Sequence, residues 1–231
     1  MEPNTVVCRQ VSKVYRQNSV AVHALTDINL DVPKRDFLCL SGPSGSGKST
    51  LLNLIGGLDR PSSGEIEVDG VALALLDKGA LARLRLTRIG FVFQAYNLIP
   101  VLTARENVEF VMQLQGVPAS ERGDKAMQIL REVSLDGLEN RRPGELSGGQ
   151  QQRVAVARAI VSEPSLVLAD EPTANLDSKT AQALMELLVH MNTEHNVTFI
   201  FSTHDKLVMD FSRRLIKLHD GKIVEDVRRQ G

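Results

Sequence analysis

Ser41-Gly42-Pro43-Ser44-Gly45-Ser46-Gly47-Lys48-Ser49-Thr50 decides the fold. The stretch fits the phosphate-loop pattern G-x-x-x-x-G-K-[ST], with Gly42, Gly47, Lys48 and Ser49 at the fixed positions. Ahead of it, Phe37-Leu-Cys-Leu40 reads as a short buried strand; behind it, Leu51-Leu-Asn-Leu-Ile55 opens a helix with an apolar face. Strand, glycine loop and helix form the frame this motif needs. Glycines let the loop curl until successive backbone N–H groups converge on an anion, and the helix N-terminus adds its positive dipole end. Lys48 then reaches β- and γ-phosphates, and the Ser49 hydroxyl ligates Mg²⁺. Gly42 through Thr50 are therefore expected to hold a nucleotide. A chance glycine-rich turn would explain neither the fixed positions nor the flanks.

The chain of 231 residues, 42% hydrophobic, suits one α/β domain with an inserted subdomain. A net charge of −1 suggests no nucleic-acid partner. The cluster Arg83, Arg85 and Arg88 reads as a solvated face or a protein contact. Cys8 and Cys39 lie in apolar strand-like runs and read as buried reduced thiols of a cytoplasmic protein. No apolar run reaches the roughly 18 residues that span a bilayer, so any membrane role is expected to come through a partner. Met1-Glu-Pro-Asn-Thr5 lacks the basic and apolar regions of a signal peptide.

Along the chain, residues 5–15 and Val20–Leu30 read as strands, with Asp31–Asp36 as the turn into the phosphate-loop strand. Glu65–Gly70 alternates as a strand, Leu73–Thr87 has helical leucine spacing, and Ile89–Gln94 is a buried strand. Residues 103–162 contain no strand-like run. Thr103 and Glu106 form a capping box, Pro118–Val133 is a second helical pattern, and Gly148–Val161 a third. Residues from about 95 to 162 are expected to be a helical insertion between core segments 1–94 and 163–231. Leu166–Asp170 and Val197–Ser202 return as strands around a helix over Ser178–Glu194, and a hairpin closes around Asp220-Gly221. Strands alternating with helices imply a mainly parallel sheet, which binds its ligands at the carboxyl ends of the strands. The phosphate loop, Gln94, Asp170-Glu171 and His204 all follow apolar strands and are expected to converge.

Their chemistry follows from residue type. Asp170 can hold Mg²⁺ through water, and Glu171 can act as general base on the attacking water. His204 can bond the γ-phosphate and orient that water. The Gln94 amide can ligate Mg²⁺ and sense the γ-phosphate. Tyr15 can stack on a base ring, against the plain alternative of a core tyrosine. Leu146-Ser147-Gly148-Gly149-Gln150 precedes a helix and makes a second anion site, longer than capping alone requires. Two anion sites and one lysine-bearing loop suggest that the second serves the nucleotide of a partner copy.

Tyr15, Gly42–Ser49, Gln94, Leu146–Gln150, Leu166–Glu171, Asn175-Leu-Asp177 and His204, taken in order, resemble the nucleotide-binding subunit of ATP-binding-cassette transporters over essentially the whole chain. The resemblance implies an α/β phosphate-loop NTPase core with an antiparallel β subdomain and an inserted helical subdomain. It also implies a head-to-tail dimer with ATP and Mg²⁺ sandwiched between copies, Asp177 lying in the loop that crosses the interface. Gly57–Pro61, Ile89–Gln94, Leu102–Val108 and Leu146–Arg153 look like the lipoprotein-releasing and macrolide-efflux ATPases. That likeness implies an integral-membrane permease, as a separate chain or a fused segment, a place on the cytoplasmic face of the inner membrane, and export or extraction of a lipid, lipoprotein, peptide or drug. The rivals are a regulatory cassette of a cell-division or envelope complex and a soluble relative working on DNA or ribosomes.

Overall fold

The computed structural model describes residues 3–17 and 20–229. Met1 and Glu2, part of the stretch read above as no signal peptide, lie outside them.

Strands β1 (Asn4–Gln17) and β2 (Val20–Pro33) pair antiparallel, and β3 (Phe37–Ser41) leads into helix α1 (Lys48–Ile55). Strands β4 (Ser63–Val68) and β5 (Val71–Ala72), a single 3-10 turn over Leu73–Leu75, helix α2 (Lys78–Arg88) and strand β6 (Ile89–Phe93) follow. Helices α3 (Ala104–Leu114), α4 (Ala119–Glu132) and α5 (Gly148–Ile160) come next. The chain closes with β7 (Leu166–Asp170), α6 (Ser178–Glu194), β8 (Thr198–Thr203), the short α7 (Lys206–Met209), β9 (Arg214–His219) and β10 (Lys222–Arg228).

The strands form a four-stranded antiparallel sheet in the order β2-β1-β4-β5 and a six-stranded sheet in the order β10-β9-β3-β8-β7-β6. Strands β9, β3, β8, β7 and β6 run parallel, and only β10 is antiparallel to its neighbour. Central strands buried on both faces read as unbroken apolar runs, which is why Phe37–Leu40 and Leu166–Ala169 carry no polar alternation. Phe37, Cys39, Phe199 and Phe201 pack with the helices after Gln94 and with α6. Leu38, Leu40, Ile200 and Ile216 face α1 and the antiparallel sheet. Cys8 and Cys39 are free and buried, and burial pushes both thiols up to about 12.

Two expected boundaries are corrected. The turn expected at Asp31–Asp36 begins only after Pro33, because β2 is an edge strand and proline is tolerated there. The helix expected over Leu73–Thr87 is broken at Asp77, whose side chain accepts from Ala80 N at 2.7 Å and starts α2 afresh. Leu73 is buried but Leu75 is 85% exposed, so the leucines there do not form one helical apolar face.

Helix α1 starts three residues before Leu51, at Lys48, and the last strand runs four residues past Val224, to Arg228; most other boundaries shift by a residue or two. The capping box forms as expected: Thr103 Oγ1 accepts from Glu106 N at 3.2 Å, and Glu106 Oε2 accepts from Thr103 N at 2.8 Å. Between β6 and α3 the buried Asn107 organises the chain. Its Oδ1 accepts from Ile99 N at 2.8 Å, and its Nδ2 donates to the carbonyls of Ile99, Leu102 and Thr103.

Candidate active site

The loop between β3 and α1 can be glycine only at its tightest points. Gly42 has φ 146° and a Cβ there would lie 2.2 Å from the Leu218 carbonyl oxygen. Gly47 has φ 104°, and its Cβ would lie 2.7 Å from the Ala24 carbonyl oxygen. Both are conformations that side-chain-bearing residues rarely adopt. Lys48 folds back over the loop, its Nζ donating to the carbonyls of Gly42 at 2.8 Å and Pro43 at 3.2 Å.

A cleft of about 680 Å³ opens beside this loop. Its walls are residues 43–50, Gln94, Glu171, Ala174, His204 and, from β2, Val22, His23 and Ala24. Four strand ends thus meet at one place, as the parallel sheet requires.

Asp170, at the end of β7, accepts from Ser49 Oγ at 3.0 Å and from Ser202 Oγ at 2.5 Å. The same Ser202 hydroxyl accepts from Glu171 N at 3.0 Å. Glu171 has φ 47°, a strained backbone for a residue with a side chain. Three contacts hold that turn: Ser202 on the Glu171 amide, His204 Nδ1 at 2.9 Å from Glu171 Oε1, and Gln152 Nε2 donating to Pro172 O at 2.7 Å.

The other expected site residues stand apart from the cleft walls. Tyr15 lies on β1 opposite Val22, its hydroxyl donating to Asp59 Oδ2 at 2.8 Å and its ring 4.8 Å beneath Lys13 Nζ. Its strand neighbour Val22, not Tyr15, lines the cleft. Ser147 caps α5, accepting from Gln150 N at 3.3 Å while Gln150 Oε1 accepts from Ser147 N at 2.9 Å. Gly148 and Gly149 are also packing positions: a Cβ would lie 2.9 Å from the Tyr96 hydroxyl or 2.6 Å from a Thr180 methyl, respectively. Asp177 caps α6 through Lys179 N and Thr180 N, and the Thr180 hydroxyl and amide hold its carboxyl below the usual range.

Among the described residues no group of three or more His, Cys, Asp and Glu side chains gathers. A metal here would instead use hard oxygens: the Ser49 hydroxyl, the Gln94 amide and the Asp170 carboxylate. That donor set fits Mg²⁺, which takes few protein ligands and keeps its waters.

The sequence reading missed Ser202, Val22 and His23. Ser202 was visible as the hydroxyl ending an apolar strand two residues before His204; nothing local marked Val22.

A phosphate loop, paired carboxylates at the end of a parallel strand and a histidine at the next strand end define a phosphate-loop nucleotide hydrolase. A family model described as ABC transporter matches residues 25–174. MJ0796 of Methanocaldococcus jannaschii, an uncharacterized ABC transporter ATP-binding protein, is 43% identical over 227 residues, covering 96% of this chain and 97% of that protein. A dimeric structure of MJ0796 in a post-hydrolysis state, bound to ADP and Pi, matches with a TM-score of 0.90 at 42% identity, covering 98% of this chain and 99% of that one. The lipoprotein-releasing system ATP-binding protein LolD of Anaeromyxobacter dehalogenans is 47% identical over 223 residues, 96% of this chain and 93% of that protein. The macrolide export ATP-binding/permease protein MacB of Marinobacter nauticus is 42% identical over 227 residues, 98% of this chain but 35% of that protein. The chain belongs to the ABC transporter family and is an ATPase cassette of that family.

Proposed function

We propose that two copies pair head to tail and that each of two ATP molecules lies between the phosphate loop of one copy and Ser147–Gln150 of the other. One observation carries this reading. Among the described residues the helix N-termini at Lys48 and Gly148 suit phosphate, yet of these two the one bearing Lys48 shares a cleft with Gln94, Glu171 and His204. The dimeric form of MJ0796 supports it.

Within each site, Gly42–Thr50 hold the phosphates and Lys48 meets the β- and γ-oxygens. Tyr15, beside Val22, covers the base. Ser49, Gln94 and Asp170 hold Mg²⁺, which supplies neutralisation of the phosphate charge. Glu171 takes the proton of the attacking water while His204 keeps its carboxylate in place. Asp177 serves the contact between copies.

The helical segment from about residue 95 to 162 carries the motion to a membrane permease. A groove of about 460 Å³, lined by Leu86, Phe91, Phe93, Asn97, Val111 and Arg158 among others, lies beside the Gln94 loop and suits a cytoplasmic helix of that partner. Among the described residues no helix is long and apolar enough to cross a membrane, which fits attachment through the permease at the cytoplasmic face of the inner membrane. Similarity to LolD and MacB supports extraction or export of a lipid, lipoprotein, peptide or drug. No nucleic-acid partner is proposed.

The Glu171–His204 pair favours hydrolysis over a purely regulatory cassette. The test is phosphate release by the purified chain together with its mass in solution with ATP. ATP-dependent dimers and released phosphate support the reading; a monomer that turns ATP over at full rate at all dilutions overturns it.

A further inference from the structure

Between β6 and α3 two consecutive residues with side chains pass through left-handed backbone: Tyr96 at φ 58° and Asn97 at φ 50°. Such conformations persist only when the surroundings hold them. The holder is Arg158 on α5. Its Nη1 donates to Asn97 O at 2.5 Å and its Nη2 to Tyr96 O at 2.9 Å. The guanidinium fork thus spans two adjacent carbonyls, a geometry that an ammonium cannot reproduce. The Tyr96 hydroxyl reaches the first turn of the same helix, 2.9 Å from where a Cβ on Gly148 would stand. On the other side of the loop, Asn175 Nδ2 donates to Gln94 O at 3.0 Å. Three carbonyls of residues 94–97 are therefore held by side chains from outside the loop.

We infer that Arg158 is a positioning residue: its fork imposes the left-handed pair Tyr96–Asn97, and so makes the place of Gln94 in the cleft follow helix α5, whose N-terminus carries Ser147. This deepens the ATPase reading and rests on it. Tilting of α5 against a second copy would be passed to Gln94 through a rigid two-bond link rather than through the loose loop that follows β6. The same link lies in the groove assigned above to the permease, so one guanidinium connects the Gln94 loop, helix α5 and the partner surface.

The test uses Arg158→Lys, which keeps the cation and the stem but loses the fork. Hydrolysis is expected to fall in kcat by about tenfold or more, as a misplaced positioning contact does, while KM for ATP moves less than twofold. Adding Asn97→Gly, which occupies φ 50° without a side-chain penalty, is expected to restore at least threefold of that loss. Hydrogen exchange on the full chain is read in parallel, because it needs no activity. In Arg158→Lys the amides of residues 95–99 should exchange faster while those of β3 and β7 do not change. An unchanged kcat, a loss that Asn97→Gly fails to restore, or faster exchange spread over the whole core overturns the inference. If the unmodified chain releases no phosphate, the ATPase reading falls, and the exchange pattern alone decides whether the link exists.

Discussion

His204 Nδ1 stands 2.9 Å from Glu171 Oε1, and the two side chains differ sharply in setting: the histidine is 71% exposed and the glutamate 17%. The half-buried partner is thus steadied by an accessible one on the next strand end. Together with the strained φ of Glu171, this fixes a carboxylate at the mouth of the phosphate loop.

Glu171→Gln keeps the shape and the contact with His204 but removes the carboxylate proposed as the base. Phosphate release is expected to fall by about 10² to 10⁴, the range of a general base. ATP binding should persist, and gel filtration with ATP should show an accumulated dimer. Normal turnover would remove Glu171 from the base role.

Ser202→Ala takes one donor from Asp170 and one acceptor from the Glu171 amide in a fully buried position. Leaving these groups unpaired is expected to cost about 1–3 kcal/mol in urea unfolding. Hydrolysis should drop more than ATP affinity, because the Asp170 carboxylate and the Glu171 backbone lose their shared anchor.

Asn107→Leu retains volume and loses all four hydrogen bonds to the chain between residues 99 and 103. A stability loss of about 2–4 kcal/mol is expected from the orphaned backbone groups. Thermal unfolding and exchange at Ile99–Thr103 would measure it. A change within experimental error would show that water replaces the side chain there.

Arg214 clasps Asp226 with Nε at 2.8 Å and Nη2 at 2.7 Å, and this hydrogen bonding holds the Asp226 carboxyl below its ordinary value. A depressed carboxylate contributes its stability above the unfolded-state value of about 3.9 and loses it as pH falls through the lower folded value. The stability gap between the natural chain and Asp226→Asn should therefore be full near pH 6 and shrink below about pH 4. A gap independent of pH would mean that the pair contributes only shape.

What the sequence disclosed was chemistry carried by neighbours in the chain. Gly42, Gly47, Lys48 and Ser49 announce themselves because one turn needs them all. Thr103 and Glu106 do so because a helix start is local. The apolar run Leu166–Ala169 told its burial because a central strand has no wet face. Ser202, Arg158 and Asn107 stayed silent for the opposite reason. Ser202 acts on Asp170, 32 positions away, and Arg158 on Asn97, 61 away; no spacing rule reports such pairs. Leucine periodicity misled at Leu73–Leu75, where repeat and burial part company. Ser147–Gln150, read from the sequence as an anion site for the nucleotide of a partner copy, stands in the single chain as the capping box of α5.

Strand β3 turns Phe37 and Cys39 toward the helices and Leu38 and Leu40 toward the antiparallel sheet, and then becomes the phosphate loop. It is a bulkhead between two compartments. Adjacent side chains on it face opposite halves of the molecule, so isotope labels at Cys39 and Leu40 would separate a disturbance arriving from the helical side from one arriving from the antiparallel sheet.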